Sequence, residues 1–102
     1  MMSACLIVEA KITDPDRFMA YVEAVPVLAA QFGGEYVVLG GDAEILKDEW
    51  NGEKIVCHWW SDRASARRFW NSAEYAEARK LRIGTDHFRV MLVEGLNHEL
   101  LV

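Results

Sequence analysis

Residues 61–82 read SDRASARRFWNSAEYAEARKLR, the one long run that combines a helical pattern with polar residues able to form a site. Apolar side chains recur there at helical spacing and predict an inward face made of Ala66, Phe69, Trp70 and Ala73. Ser61 or Asp62 can cap the start of the helix, and Asn71-Ser72 predicts a break after which Ser72 caps a second segment. The run therefore predicts one helical unit in two segments, supported by the rest of the chain.

A second face of the same run carries polar side chains at spacings of three, four and three residues, namely Ser72, Tyr75, Arg79 and Arg82. Arginine offers a planar fork of donors that matches the two oxygens of a carboxylate. This face is therefore a candidate site for a small carboxylate or oxyanion. In the alternative interpretation, the arginines lie in solvent and pair with Glu74 and Glu77, while Tyr75 is partly buried in the core.

Upstream of this run, the sequence predicts a strand followed by a helix. Residues 4–12 are rich in β-branched residues and alternate, with Leu6, Val8, Ala10 and Ile12 on one side. Asp14 is placed as an N-cap before Pro15, and Gly33-Gly34 supplies a stop. The apolar face of this helix comprises Phe18, Tyr21, Val22, Val25, Ala29 and Phe32. Pro26 interrupts the helix, and either curvature around the sheet or room for a ligand explains it.

The remaining segments predict three more strands. Residues 35–39 form the second, a Gly40-Gly41-Asp42 turn follows, and a short continuation at 44–47 leads to Asn51-Gly52, a strong hairpin signal. Residues 54–60 form the third strand and residues 87–94 the last. In the last strand, Phe88, Val90 and Leu92 lie on one side, and Arg89, Met91 and Val93 on the other.

The element order is strand, helix, strand, strand, helix, strand, which predicts an α+β ferredoxin-like βαββαβ sandwich. A chain of 102 residues forms one such domain, residues 1–102. Both helices then cover one face of a four-stranded antiparallel sheet. The other face would be apolar, with Ile7, Met91, Val93 and one of the alternating sets of the third strand, Ile55/Cys57/Trp59 or Val56/His58/Trp60. A homodimer that joins two such faces is the simplest way to bury them.

Composition and charge exclude several partners. The net charge of −5 argues against nucleic acid or an anionic membrane as a partner, because both need a basic surface. No apolar run approaches a membrane span, and the N-terminus lacks the basic leader of a signal peptide, so we expect a cytoplasmic protein. Cys5 and Cys57 lie in apolar runs without metal or redox spacing and are predicted to be reduced core thiols.

Several motifs together resemble the small bacterial domain-of-unknown-function family numbered 1330. They are Asp14-Pro15 with Phe18 and Tyr21, Gly33-Gly34-x-Tyr36, Gly40-Gly41, Trp60 at a strand end, Ser72-x-Glu74-Tyr75, Arg79, Arg82 and Gly95-Leu96. The resemblance spans nearly the whole chain. It implies the fold of the dimeric α/β-barrel superfamily, in which two ferredoxin-like subunits face their sheets together. Activities in that superfamily range from cofactor-free monooxygenases and muconolactone isomerase-like proteins to haem-dependent enzymes and non-catalytic binders.

Four positions depart from the family pattern. Leu39 replaces a usual arginine, Ala73 a common proline, and His58-Trp59 an aliphatic residue followed by an acid. The histidine lies inside a strand between aromatic residues. It is a candidate proton shuttle at neutral pH, or else a histidine satisfied within the core.

Three classes of function follow from these observations. The first is a cofactor-independent enzyme with oxygenase-like or isomerase-like activity on a small anionic or aromatic molecule. The second is a non-catalytic binder with the same pocket between sheet and helices, and the third is a purely structural dimer. For the first class His58 is the candidate catalytic residue, and the substrate-binding candidates are Tyr36, Trp60, Tyr75, Arg79 and Arg82. No metal-ligand spacing, phosphate loop or nucleophile elbow occurs, so no cofactor or metal is expected.

Overall fold

The computed structural model describes residues 2–50 and 53–97. In chain order the elements are β1 (Met2–Ile12), α1 (Pro15–Gln31), β2 (Glu35–Leu39), β3 (Lys54–Trp60), α2 (Arg63–Trp70), α3 (Ala73–Arg79), a 3-10 turn (Lys80–Arg82) and β4 (Asp86–Asn97). The predicted strands are present, and β1 and β4 are longer than the sequence pattern indicated. The segment predicted at 44–47 is irregular rather than a strand continuation. The predicted Asn51-Gly52 turn lies outside the described residues.

The four strands form one antiparallel sheet in the order β2-β3-β1-β4. Leu6 of β1 is paired with His58 of β3 on one side and with Leu92 of β4 on the other, so side chains of one parity share a face across the sheet. Together with helices on one face, this order confirms the predicted α+β ferredoxin-like arrangement.

Side-chain caps set where the helices begin. The Asp14 carboxylate accepts a hydrogen bond from the Arg17 backbone N–H at 3.2 Å, and Asp62 accepts one from the Ser65 N–H at 2.7 Å. The hydroxyl of Ser72 accepts from the Tyr75 N–H at 3.0 Å and donates to the Phe69 carbonyl at 2.7 Å. The predicted caps and the break after α2 are therefore confirmed.

The break makes the second helical unit two short helices, so the layer contains three helices instead of two. It also changes the phase of the inward face. Ala73 was predicted to point inward but is exposed, because Ser72 starts a new helix in which Tyr75 and Ala78 are the buried residues. Because of this new phase, the ring of Tyr75 points into the core.

The hydrophobic core lies between the helices and one face of the sheet. Alternate residues of β1 are buried there, and α1 contributes the predicted stripe. The core cluster comprises Leu6, Phe18, Tyr21, Val25, Ala29, Trp60, Ala66, Phe69, Tyr75 and Ala78. On β3 the residues that face the helices are Val56, His58 and Trp60, which resolves the two sets that the sequence left open.

The opposite face of the sheet, hereafter the open face, carries no helix among the described residues. Ile55, Cys57 and Trp59 of β3 lie on it, and across β1 from them lie Met91 and Val93 of β4, which are exposed. Both cysteines are free as predicted. They are half-buried on the open face, however, and not in the core between sheet and helices. None of the described helices is long and apolar enough to cross a membrane.

Candidate functional site

A cavity of about 40 Å³ lies between the helices and the covered face of the sheet. That volume exceeds the ~10–15 Å³ that a single water requires. Most of the lining is aliphatic or aromatic. The lining residues that carry a polar side-chain group are Tyr21, Tyr36, His58, Trp70 and Tyr75. An apolar lining with a few convergent polar groups is typical of a small-molecule site, but this volume is well below the ~300–1,000 Å³ of such sites, so an organic ligand must enlarge the cavity to enter.

Three aromatic residues hold the imidazole of His58 in place. Tyr36, its pairing partner on β2, stacks on the ring with 4.6 Å between centroids and an angle of 7°. Phe69 meets the ring edge-on at 6.1 Å. From the same strand, the indole N–H of Trp60 donates a hydrogen bond to Nδ1 of His58 at 3.0 Å. The orienting partner that the sequence did not supply is therefore Trp60, two residues away on the same face of β3.

The imidazole of His58 is uncharged at neutral pH. Only 5% of the residue is exposed, and this burial lowers its pKa to about 4. An indole nitrogen donates but does not accept, so the bond from Trp60 also requires a lone pair on Nδ1. The proton of the neutral ring must then be on Nε2. This places a donor on the ring nitrogen that Trp60 does not occupy.

Tyr21 and Tyr75 form a hydroxyl pair across the helix layer. Their oxygens are 2.8 Å apart and buried, and the rings meet edge-on at 6.5 Å. Burial, with Tyr75 next in effect, raises the pKa of Tyr21, and burial followed by Tyr75 also raises that of Tyr36. Both phenols therefore remain protonated at neutral pH. With a neutral His58, the cavity presents uncharged hydrogen-bonding groups.

Arg79 lies outside the cavity, against the rings of Trp70 and Tyr75. Its guanidinium carbon is 4.9 Å from the ring centroids of both Trp70 and Tyr75, and one Nη atom approaches the Trp70 carbonyl at 3.5 Å. Arg79 has no carboxylate partner among residues 2–50 and 53–97, and its Nε is buried without a hydrogen bond. Glu77, proposed above as its alternative partner, pairs instead with Lys80 at 2.9 Å.

Arg82 is held in a buried ion pair. Its Nη1 is 3.1 Å from Oδ1 of Asp86, and the two side chains are only 16% and 1% exposed. The guanidinium also lies 4.2 Å from the ring centroid of Phe88 and 5.5 Å from that of Tyr21. Its charge is thus already compensated, and the interpretation of Arg82 as a solvated helix residue is wrong.

The predicted site residues divide into two groups. Tyr36, His58 and Tyr75 line the cavity, and Trp60 contacts it through His58. Arg79 and Arg82 do not line the cavity, and the Ser72 hydroxyl serves as a helix cap.

The sequence did not indicate Tyr21 as a site residue, since it was placed on the apolar stripe of the first helix and among the family motifs. The signal was present, because tyrosine at an inward helical position needs a partner for its hydroxyl.

Pro26 also lines the cavity, beside Val22. Proline has no N–H, so it cannot donate to the Val22 carbonyl one turn earlier.

Residues 3–96 match the family described as Domain of unknown function (DUF1330). The chain belongs to the DUF1330 family. This confirms the family resemblance seen in the sequence. A search of the curated proteins finds no match.

Solved structures share the fold of this DUF1330 chain at low sequence identity. RPA0582, a protein of unknown function from Rhodopseudomonas palustris, has a TM-score of 0.74 and 14% identity, over 94% of this chain and 84% of that one. SnoaB, a cofactor-independent oxygenase from Streptomyces nogalater, has a TM-score of 0.72 and 13% identity, over 95% and 96% of the two chains. An ethyl tert-butyl ether d (ethd) family protein from Bacillus halodurans has a TM-score of 0.56 and 12% identity, over 94% and 100%. The TM-scores show a shared fold, and at such low identities the similarity shows nothing beyond the fold.

Within residues 2–50 and 53–97, no group of three His, Cys, Asp or Glu side chains is placed to hold a metal ion. The residues that line the cavity offer uncharged donors and acceptors in an aromatic surrounding.

Proposed function

We propose that this protein binds a small aromatic molecule in the cavity between sheet and helices. The observation that carries the proposal is the lining itself, in which aromatic and aliphatic walls surround uncharged phenol and imidazole groups. Such walls favour a planar apolar ligand with one or two polar substituents. Tyr36, His58 and Tyr75 contact the ligand in this proposal, and Trp60 orients the histidine. Arg79 and Arg82 contact lining rings from outside but do not themselves line the cavity, so in this proposal they do not bind the ligand.

The similarity of fold to SnoaB supports a catalytic version of this proposal, an oxygenase-like reaction without a cofactor. With no external reductant, the substrate must supply all four electrons that reduce O₂. An aromatic ketone with an acidic CH₂ group can do so, because oxidation of CH₂ to C=O takes up one oxygen atom and releases the other as water. The cavity can also serve a binder without turnover, which the assays below distinguish.

The open face belongs to the same proposal. It exposes Met91 and Val93, and the domain is only 17 Å thick along its shortest axis, against 41 and 39 Å along the others. A second copy that packs its open face here would bury this apolar area. The proposed assembly is thus a homodimer of two sheets face to face, as the family resemblance implies.

A cavity-filling variant tests the binding proposal. Val56 lies on β3 and lines the cavity, whereas Val37 is 60% exposed and does not. Val56→Phe is expected to abolish binding of monocyclic aromatics such as acetophenone, measured by calorimetric titration. Val37→Phe makes the same chemical change outside the cavity and should bind as the wild type does. Equal binding by both variants would place the ligand elsewhere.

Oxygen uptake distinguishes the enzyme from the binder. An electrode assay with aryl ketones that carry an acidic CH₂ group, without added cofactor, is expected to show consumption that Val56→Phe removes. Binding without uptake across such a panel would support the non-catalytic alternative.

A further inference from the structure

The protonation state of Nδ1 of His58 is determined by Trp60, which does not itself line the cavity. Nδ1 of His58 receives the indole N–H of Trp60 at 3.0 Å, and Trp60 is itself fully buried. Phe69 packs on that indole with 5.1 Å between ring centroids. Gly34 lies on it as well, since a Cβ there would come within 2.4 Å of the ring. The donor that fixes Nδ1 is therefore locked in one position.

A neutral imidazole has one N–H and one lone pair. The lone pair is at Nδ1, so Nε2 carries the hydrogen and cannot accept a proton while the ring is neutral. If Nδ1 were protonated, its N–H and the indole N–H of Trp60 would face each other as two donors with no acceptor between them. His58 is thus held as a donor, which differs from the proton shuttle that the sequence suggested.

We propose that His58 is a specificity-determining residue that donates its Nε2–H to an uncharged acceptor oxygen of the ligand, a ketone or quinone carbonyl, and that Trp60 is the positioning residue that maintains this tautomer. The inference rests on the proposed function, because it requires an aromatic ligand in the cavity. Among the described residues the hydrogen bond of His58 is at Nδ1, and Nε2 is not one of the fully buried atoms that lack a partner, so Nε2 is open to the cavity that His58 lines. Tyr36 stacks on the same ring, so the donor direction is fixed in the ring plane.

Two probes of nearly equal shape test the proposal. Acetophenone carries a carbonyl oxygen where α-methylstyrene carries a CH₂ group. The wild type is expected to bind acetophenone roughly 3- to 10-fold more tightly in calorimetric titration, the effect of one neutral hydrogen bond. His58→Leu should remove that preference. His58→Gln, which retains an amide donor and an acceptor for Trp60, should keep part of it.

The positioning role of Trp60 can be measured through the tautomer of His58, which would not change if Trp60 served only in packing. ¹⁵N NMR of the imidazole should show a protonated Nε2 and an unprotonated Nδ1 in the wild type. Trp60→Phe retains an aromatic ring without the N–H and should give a mixture of both tautomers with a reduced preference for acetophenone. A single unchanged tautomer in Trp60→Phe would overturn the positioning role.

The outcomes separate this inference from the proposed function. If both probes bind in the cavity with equal affinity, or if His58→Leu keeps the preference, the donor role is wrong and the aromatic site stands. If neither probe binds, the proposed function fails and the inference fails with it.

Discussion

Gly34 and Trp60 are in direct contact: a Cβ on Gly34 would come within 2.4 Å of the indole ring carbon Cζ2. Gly34 was interpreted from the sequence as part of a helix stop. It does accompany that stop, since its N–H donates to the Ala29 carbonyl at 2.9 Å after Gly33 has taken φ of +95°. Its lack of a side chain serves a second purpose, because it makes room for the ring that orients His58.

We expect Gly34→Ala to lower the free energy of unfolding by about 1–3 kcal/mol, the usual cost of overpacking a rigid core. The indole cannot move aside easily, since Trp60 is fully buried. Gly41→Ala is the matched control, because a Cβ there meets nothing within 4 Å. Urea unfolding of the wild type and the two variants measures the difference in the free energy of unfolding. Equal stability of the Gly34 and Gly41 variants would contradict the contact.

The hydroxyl pair of Tyr21 and Tyr75 should be energetically coupled. Tyr75→Phe leaves the buried Tyr21 hydroxyl without its partner at 2.8 Å and is expected to cost about 1–3 kcal/mol. The double variant Tyr21→Phe/Tyr75→Phe has no orphaned hydroxyl and should lose less than the sum of the two single changes. A double-mutant cycle by urea unfolding gives the coupling, and strict additivity would argue against the pair.

The sequence predicted the fold well because local signals agreed with one another. Asp14, Asp62 and Ser72 are caps as expected, and the alternation in β1 gave the correct buried face. Strand β3 was ambiguous, since both of its faces are apolar or aromatic. The register of β3 with β1 determines which of its faces meets the helices. Register is a long-range property that the pattern of one strand does not contain.

The site was predictable only in part. Tyr36, His58 and Tyr75 were named from residue type and lie together, but the bond between Trp60 and His58 depends on rotamers that spacing does not specify. The same limit applies to the arginines, whose contacts their spacing does not specify. Their helical spacing suggested one shared anion site, whereas each guanidinium has its own aromatic neighbours, and Arg82 also has Asp86.

Stability should depend on pH through His58. Its pKa is lowered to about 4 in the folded chain, while an unfolded histidine keeps its ordinary value near 6.5. The unfolded state therefore binds the proton first, so stability is full above pH 6.5 and is lost as the pH falls towards 4. The loss attributable to this group approaches about 3 kcal/mol. Urea unfolding of the wild type and His58→Gln between pH 7 and 4 isolates it, because the variant lacks the titrating ring. Parallel pH curves for the two proteins would refute the assignment.

The Arg82–Asp86 pair should be structural. Arg82→Met leaves the Asp86 carboxylate, 1% exposed, without its cation and is expected to cost about 3–5 kcal/mol in thermal or urea unfolding. Adding Asp86→Asn should recover part of that loss.

Arg79→Met is the comparison, since Arg79 contacts two rings and no described carboxylate, and it should cost only about 0.5–2 kcal/mol. Calorimetric titration of the same variants with benzoate tests the anion site suggested by the sequence. Weaker benzoate binding by Arg79→Met with unchanged stability would revive that site against the neutral cavity proposed above.

The homodimer is tested by placing a charge on the open face. Light scattering at micromolar concentration is expected to give about 23 kDa for the wild type, twice the 11.6 kDa chain. Met91→Lys introduces an ammonium group at a position that pairs with Ile7 on the open face, where burial against a second sheet would desolvate it, so it should give the monomer mass. Met19→Lys makes the same change on α1, at a position 52% exposed compared with 61% for Met91, and should remain dimeric. A wild type of monomer mass, or a Met91→Lys variant that keeps the doubled mass, would rule out assembly through this face.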